Sequence, residues 1–180
     1  MFNFDDATVD SGSKYLQPGV HTVKISKIED GSSQSGITYL EITVEDKAGL
    51  TANHRYFLNT TAGASGKSAW DITKNALLQL VCGALDVEAD VAKTKMPKAG
   101  SPAELANGLT KLLVGKPFDI RLNGKEIAGQ NGKSNWIKAE FGTGKFVAKA
   151  GSNSLTFDPS KNVKMLPSTP SASTPGISTT

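Results

Sequence analysis

The sequence predicts a mainly β domain, a five-stranded OB-type barrel with a helical insertion between the third and fourth strands. Three observations carry that expectation. Period-two alternation recurs in separate runs, one block in the middle switches to a spacing of three to four, and 18 Gly with 8 Pro supply more turns than a helical bundle needs. The order that results, β-β-β-α-β-β, is that of the OB barrel. At 180 residues the chain is long enough for one real core and short for two domains with a linker. The expected division is an N-terminal arm over 1–15, the barrel over 16–149 and a disordered tail over 150–180.

The first strand is "GVHTVKISKI", in which Val23 and Ile25 alternate with polar residues and point inward. "DGSSQSG" is a flexible turn. "TYLEITVED" completes a hairpin, with Leu40, Ile42 and Val44 on one face and Tyr39, Glu41 and Thr43 on the other. The third strand, "LTANHRYFLN", is ambiguous in parity because Tyr56, Phe57 and Leu58 are consecutive, so Tyr56 and Phe57 cannot both be core in a regular strand.

From Ser68, a plausible helix cap, Trp70, Leu77, Leu78, Val81 and Leu85 recur at helical spacing and mark a helix ending near Gly83 or soon after. "VAKTKMPKAGSP" reads as a basic loop. "AELANGLTKLLVG" is a second helix, with Leu105, Leu109, Leu112 and Leu113 on one stripe and Gly115 as terminator. "KPFDIRLN" is the clearest strand, with Phe118, Ile120 and Leu122 inward and Asp119, Arg121 and Asn123 outward. After "GKEIAGQNGK", the run "SNWIKAEF" sets Ile137, Ala139 and Phe141 against Trp136, Lys138 and Glu140. Beyond Lys149 the chain is rich in Ser, Thr and Pro and loses periodicity, the composition of a disordered tail.

No run approaches the roughly 18 apolar residues of a membrane span, and "MFNFDDATVD" is acidic where a signal peptide is basic and apolar. A cytoplasmic protein without membrane partners is expected. Cys82, the single cysteine, lies in "ALLQLVCGAL" and reads as a small core hydrophobe. His21 and His54 stand far apart with no ligand at metal spacing, so neither a metal nor another cofactor is expected.

Charge is distributed unevenly although the formal net charge is only +3. Over residues 1–46 three lysines stand against eight carboxylates, a net of −5. Over residues 111–149 eight basic residues stand against three carboxylates, a net of +5. The second half of the domain is therefore the place for an anionic partner.

"NTTAGASGKSAW" resembles a nucleotide phosphate loop at Gly66, Lys67 and Ser68. The pattern G-x-x-x-x-G-K-[ST] requires its first glycine at position 61, where Thr61 stands, and the backbone wrap around a phosphate is lost. The stretch reads instead as a strand-to-helix connection capped by Ser68, with Lys67 at most one contact to a phosphate of a polymer.

Single-stranded nucleic acid is held by cations that follow phosphates and by flat rings on which bases stack. Pleat geometry puts Trp136, Lys138 and Arg121 on the outer face of the last two strands, and Tyr39 and Lys24 outward on the first hairpin. Trp136, Tyr39 and Tyr56 are the stacking candidates; Arg121, Lys138, Lys133, Lys125, Lys116 and Lys24 are the phosphate candidates. The competing reading makes Trp136 cover for a barrel end or for the tail, and the cations ordinary solvated strand residues.

"FNFDDA" before a Pro-Gly turn, "PGVHTVKISKIED", "TYLEITVED", "LVGKPFDIRLN" and the closing "GKSNWIK" together resemble phage-encoded OB-fold single-stranded DNA-binding proteins over roughly residues 2–141. The resemblance implies a protein that coats single strands without strong sequence preference and without chemistry of its own, beside phage or host replication and recombination proteins. The tail carries Asp158 as its only acidic residue after 149, so recruitment through an acidic tip is not implied. The acidic N-terminal arm is the alternative recruiter. A second reading is a non-catalytic protein-interaction or virion module that uses the helical insertion and "TKMPK". An enzyme is not expected, because Glu41, Glu45, Glu140 and His54 form no constellation that sequence gathers into one pocket.

Overall fold

Alternation in the first run breaks between Ile25 and Ile28, and the chain resolves the break with a β-bulge. The computed structural model describes residues 13–167. Strand β1, Gly19–Ser32, pairs antiparallel with β2, Thr38–Asp46, and the register shifts between Ile25 and Lys27. The extra residue bends the strand and returns Ile28 to the interior with Val23 and Ile25. β1 thereby runs past the predicted "SKI" to Ser32.

Strand β3, Thr51–Phe57, pairs antiparallel with β2 and settles the ambiguous parity: Ala52 and Tyr56 face the core, while Arg55 and Phe57 face out. Strand β4, Pro117–Ile127, pairs with β1 through its first half and with β5, Trp136–Phe141, through its second. The sheet order is β3-β2-β1-β4-β5, mainly antiparallel. Two short strands, β6 at Val147–Lys149 and β7 at Val163–Lys164, add to β4, the latter in parallel. β5 and β6 lie in line on one edge of β4, interrupted by the loop 142–146. Arg121 spans the interruption, its amide donating to the Phe146 carbonyl and its own carbonyl accepting from the Gly142 amide.

Three helices separate β3 from β4. Helix α1, Ala69–Leu85, buries Leu77, Leu80 and Val81, and keeps Trp70, Leu78 and Leu85 partly buried against the core. Gly83 permits that approach, since a Cβ there would come within 2.1 Å of Val147 on β6. Helix α2, Ala89–Lys95, takes up the first five residues of the stretch read as a basic loop, and 96–101 remain a connection. Asp90 in its first turn and Lys93 and Lys95 in its last complement the helix dipole, and Ala92 is buried. Helix α3, Pro102–Leu113, buries Ala106, Leu109 and Leu113, and Gly115 follows with φ 81°. Among the described helices none is long and apolar enough to cross a membrane.

The expected disorder does not hold for residues 150–167. The Gly151 amide donates to the Asp119 carboxylate, Leu155 is buried, helix α4 spans Pro159–Asn162, and the Leu166 amide donates to Glu126. Asp119, expected outward and solvated, is only 5% exposed because this segment covers it, and Thr22 donates to its other oxygen. Residues 168–180 of the predicted tail, and 1–12 of the predicted arm, lie outside the described residues.

Truncation after Lys149 is expected to uncover Asp119, to remove its bond from Gly151, to lose the buried Leu155 and to expose the edge of β4 that β7 covers. A hydrogen bond contributes about 0.5–1.5 kcal/mol and a buried leucine side chain about 1.5–3 kcal/mol, so the midpoint of thermal unfolding should fall by several degrees. A loosely appended tail would leave it unchanged.

Candidate nucleic-acid interface

Among the described strand pairs none joins β3 to β5, although the two run side by side. On the inner side His54, Tyr56 and Phe141 close the gap with rings: His54 stacks on Phe141 at 5.5 Å and leans on Tyr56 at 4.6 Å between centroids. On the outer side the gap is a groove. Its first cleft, about 530 Å³, is lined by Ser13, Tyr15, Leu16 and Gln17, by Thr51–Asn53 of β3 and by Trp136–Ala139 of β5. A second, about 310 Å³, is lined by Glu41, Arg55, Phe57 and Glu140 among others. Asn53 and Lys138 line both, so the clefts adjoin.

Trp136 opens β5 on its outer face and is 52% exposed. Lys138, two residues on, stands directly opposite Lys125 of β4. Like charges opposed on one face of a sheet are unfavourable, and among the described residues neither lysine makes an ion pair. The juxtaposition is paired charge without an internal partner. Lys138 lines both clefts, and Lys125 stands beside them on the same face.

Beyond Lys138 the groove meets the outer face of β2 and β3. Tyr39 and Phe57 are cross-strand neighbours with rings 6.0 Å apart, edge to face, and the Arg55 guanidinium lies 4.6 Å from the Tyr39 centroid. Gly31, paired with Tyr39 across β1 and β2, makes room for the phenol; a Cβ there would sit 2.8 Å from the ring. Glu41 holds Arg55 in place.

The sequence-predicted residues thus divide. Trp136, Lys138 and Lys125 share the β4–β5 end of the outer face, and Tyr39 lies at the other end of the groove beside Arg55 and Phe57. Tyr56 is corrected from stacking platform to core: it is 7% exposed, and burial raises the pKa of its phenol. Arg121 is half-buried and donates to the Thr143 carbonyl at 2.6 Å, with its Nε buried and unpartnered, so it secures the loop 142–146 instead of standing in the groove. Lys24 pairs with Pro117 at the start of β4, next to Lys116. At roughly 3.3 Å per residue that end lies about 33 Å along β4 from Ile127, the partner of Trp136. Lys24 and Lys116 therefore form a separate group. Lys133 is exposed in the 128–135 connection and lines neither cleft.

Sequence reasoning missed Tyr15, Asn53, Arg55 and Phe57. Tyr15 is 68% exposed on the rim of the first cleft, in a segment fixed to β3: the Thr51 amide donates to the Lys14 carbonyl and the Leu16 amide to the Thr51 carbonyl. No periodic signal marks it. Arg55 and Phe57 follow from the alternation once the parity of β3 is known.

The Gly-Lys-Ser stretch is a capped helix start. Ser68 is buried; its hydroxyl accepts from the Asp71 amide, while the Asp71 carboxylate accepts from the Ser68 amide and hydroxyl. Lys74 and Ser68 hold the Asp71 carboxyl well below the usual carboxylate range. A carboxylate already occupies the position an incoming phosphate requires. Lys67 lines a third cleft, of about 520 Å³, between α1 and the inner rings.

No protein-family model matches the chain, and no curated protein matches its sequence.

Burial holds the His54 imidazole below its ordinary value of 6.5, with Glu140 opposing that shift and Lys138 adding to it. The unfolded chain therefore binds a proton on this residue at a higher pH than the fold does, and His54 contributes stability that is present above 6.5 and lost as pH falls through it. Thermal melts from about pH 7.5 to about 5.5 should show a shallower loss for His54→Gln than for the parent chain. Equal slopes would place the titrating group elsewhere.

Proposed function

We propose that the chain is a non-catalytic, sequence-tolerant binder of single-stranded DNA, built on an OB-like barrel whose open β3–β5 seam is the binding groove. The observation that carries this reading is the outer groove: Tyr15 and Trp136 are exposed at one end, Phe57 is exposed at the other with the half-buried Tyr39 against it, and Lys138 and Arg55 line the groove between them beside Glu41 and Glu140. Rings accept bases of any sequence, and cations meet the phosphates between them. The unsatisfied Lys125–Lys138 juxtaposition also favours a polyanion over a protein partner. A role in phage DNA replication or recombination, beside phage or host proteins, is the biological setting this reading implies.

The apolar residues exposed on and after the helices, Ile72, Val91 and Val114, are single positions of a kind common on any surface, and give the interaction-module reading no specific support.

Titration with oligo-dT should quench tryptophan emission in a Trp70→Phe background, where Trp136 is the only reporter. Trp136→Ala should weaken binding by about 1–3 kcal/mol. With roughly four phosphates neutralised, the log–log salt slope should be about −3, and Lys138→Gln should reduce it by about 0.7. The same Lys138→Gln should leave thermal stability unchanged or raise it, since it relieves repulsion with Lys125. Absence of both quenching and salt dependence would remove the reading.

A further inference from the structure

A third lysine continues the opposed pair. On one edge of β4, β5 sets Lys138 opposite Lys125; on the other edge, β7 runs parallel to β4 with Lys164 opposite the same Lys125. Residues paired in this way leave one face of a sheet together. The opposite face agrees, since a Cβ on Gly124 would lie 2.9 Å from Ile137 of β5 and 3.1 Å from Val163 of β7. Lys138, Lys125 and Lys164 therefore form a row across three strands. All are exposed, and among the described residues none makes an ion pair.

The carboxylates nearby are turned away or engaged. Glu126 leaves the opposite face, where it accepts from the Leu166 amide and the Asn135 side chain. Asp158, ahead of β7, is paired with Lys161. Glu140 shares the lysine face but stands beyond Lys138, on the side away from Trp136. Towards Trp136 the next pair on this face is the exposed indole itself with the half-buried Ile127. The sheet thus carries a cationic row and, about 7 Å along the strands, an aromatic and aliphatic one. Lys164 is held there by the packing of Val163 at Gly124 and by the bond from Leu166 to Glu126. Ordering this segment costs chain entropy and brings a third like charge up to Lys125.

We propose that Lys164 is a phosphate contact of the DNA site, and that a single strand leaving the groove at Trp136 crosses β5, β4 and β7 with its phosphates over the lysine row and its bases toward Trp136 and Ile127. The inference rests on the groove reading above and gives that site its course beyond Lys138, which lines the groove and begins the row. Neighbouring strands lie about 4.8 Å apart, so the backbones of the outer two lysines are about 10 Å from each other. A line of charge that long matches successive phosphates of a polymer better than one small anion.

The test uses the full chain in the Trp70→Phe background. Lys164→Gln should weaken oligo-dT binding about five- to tenfold at low salt and reduce the log–log salt slope by about 0.7, while Lys164→Arg should keep both. Because Lys164→Gln removes a like charge opposite Lys125, the midpoint of thermal unfolding should stay or rise. A lower midpoint with unchanged DNA binding would make Lys164 a structural residue of β7 and overturn the proposal. Lys95→Gln, which removes the same charge from the last turn of α2, controls for net charge. Equal losses from Lys95→Gln and Lys164→Gln would also overturn it. If the parent shows quenching and salt dependence and Trp136→Ala weakens binding, yet Lys164→Gln changes neither affinity nor slope, the crossing falls and the groove stands. If the parent binds no oligo-dT, both fall.

Discussion

The structure hangs on β4, which is asked to satisfy four partners. Its first half takes β1 on one edge and β6 on the other; its second half takes β5 and β7. Its core face supplies Phe118, Ile120 and Leu122, all fully buried, and losing one such side chain to Ala costs about 2–5 kcal/mol. Since β5 is positioned only by β4 among its described strand pairs, the direction in which Trp136 and Lys138 look is set by the register Leu122↔Phe141 through Ile127↔Trp136. One slip in that register would turn the indole and the lysine inward together. The register is pinned at the core end by Phe141, and just past it by the Arg121 side chain and backbone holding the loop 142–146.

That arrangement explains why the seam is open on the outside and closed on the inside. Rings of His54, Tyr56 and Phe141 meet across the inner gap, where β3 and β5 form no described strand pair. Edge strands left unpaired invite association with other chains. Here charge guards them: Lys138 and Glu140 on β5, and Arg55 with Glu41 beside β3, are solvated groups that resist addition of an apolar strand.

Much of this was legible in the sequence because alternation reports on half-buried strands. Val23 and Ile25, Leu40 to Val44, Phe118 to Leu122, and the outward set of Trp136 and Lys138 all follow from period two, and α1 and α3 from leucines at helical spacing. What escaped has no period to read. Tyr15 is held by backbone bonds on either side of it, which leave no side-chain signature. Helix α2 has seven residues, fewer than two turns, and one buried alanine. Residues 150–167 are anchored by one buried leucine, the Gly151 amide on Asp119, the Leu166 amide on Glu126 and a two-residue strand, so their Ser/Pro-rich composition outweighed the few contacts that order them. Arg121 was misjudged for a related reason: parity gives the face a side chain leaves from, not the carbonyl it finds there.

Opposed lysines are the part of the site least explained by folding. Lys125 and Lys138 could be separated by a one-residue change at either position at no cost to the core, since both are solvent-side residues of a pair whose packing comes from Leu122, Ala139 and Phe141. A fold selected for stability alone has no use for the repulsion. On the proposed reading it would concentrate positive potential beside Trp136 where the phosphates of a single strand would pass, and the stability given up without a ligand would be returned when an anion bound.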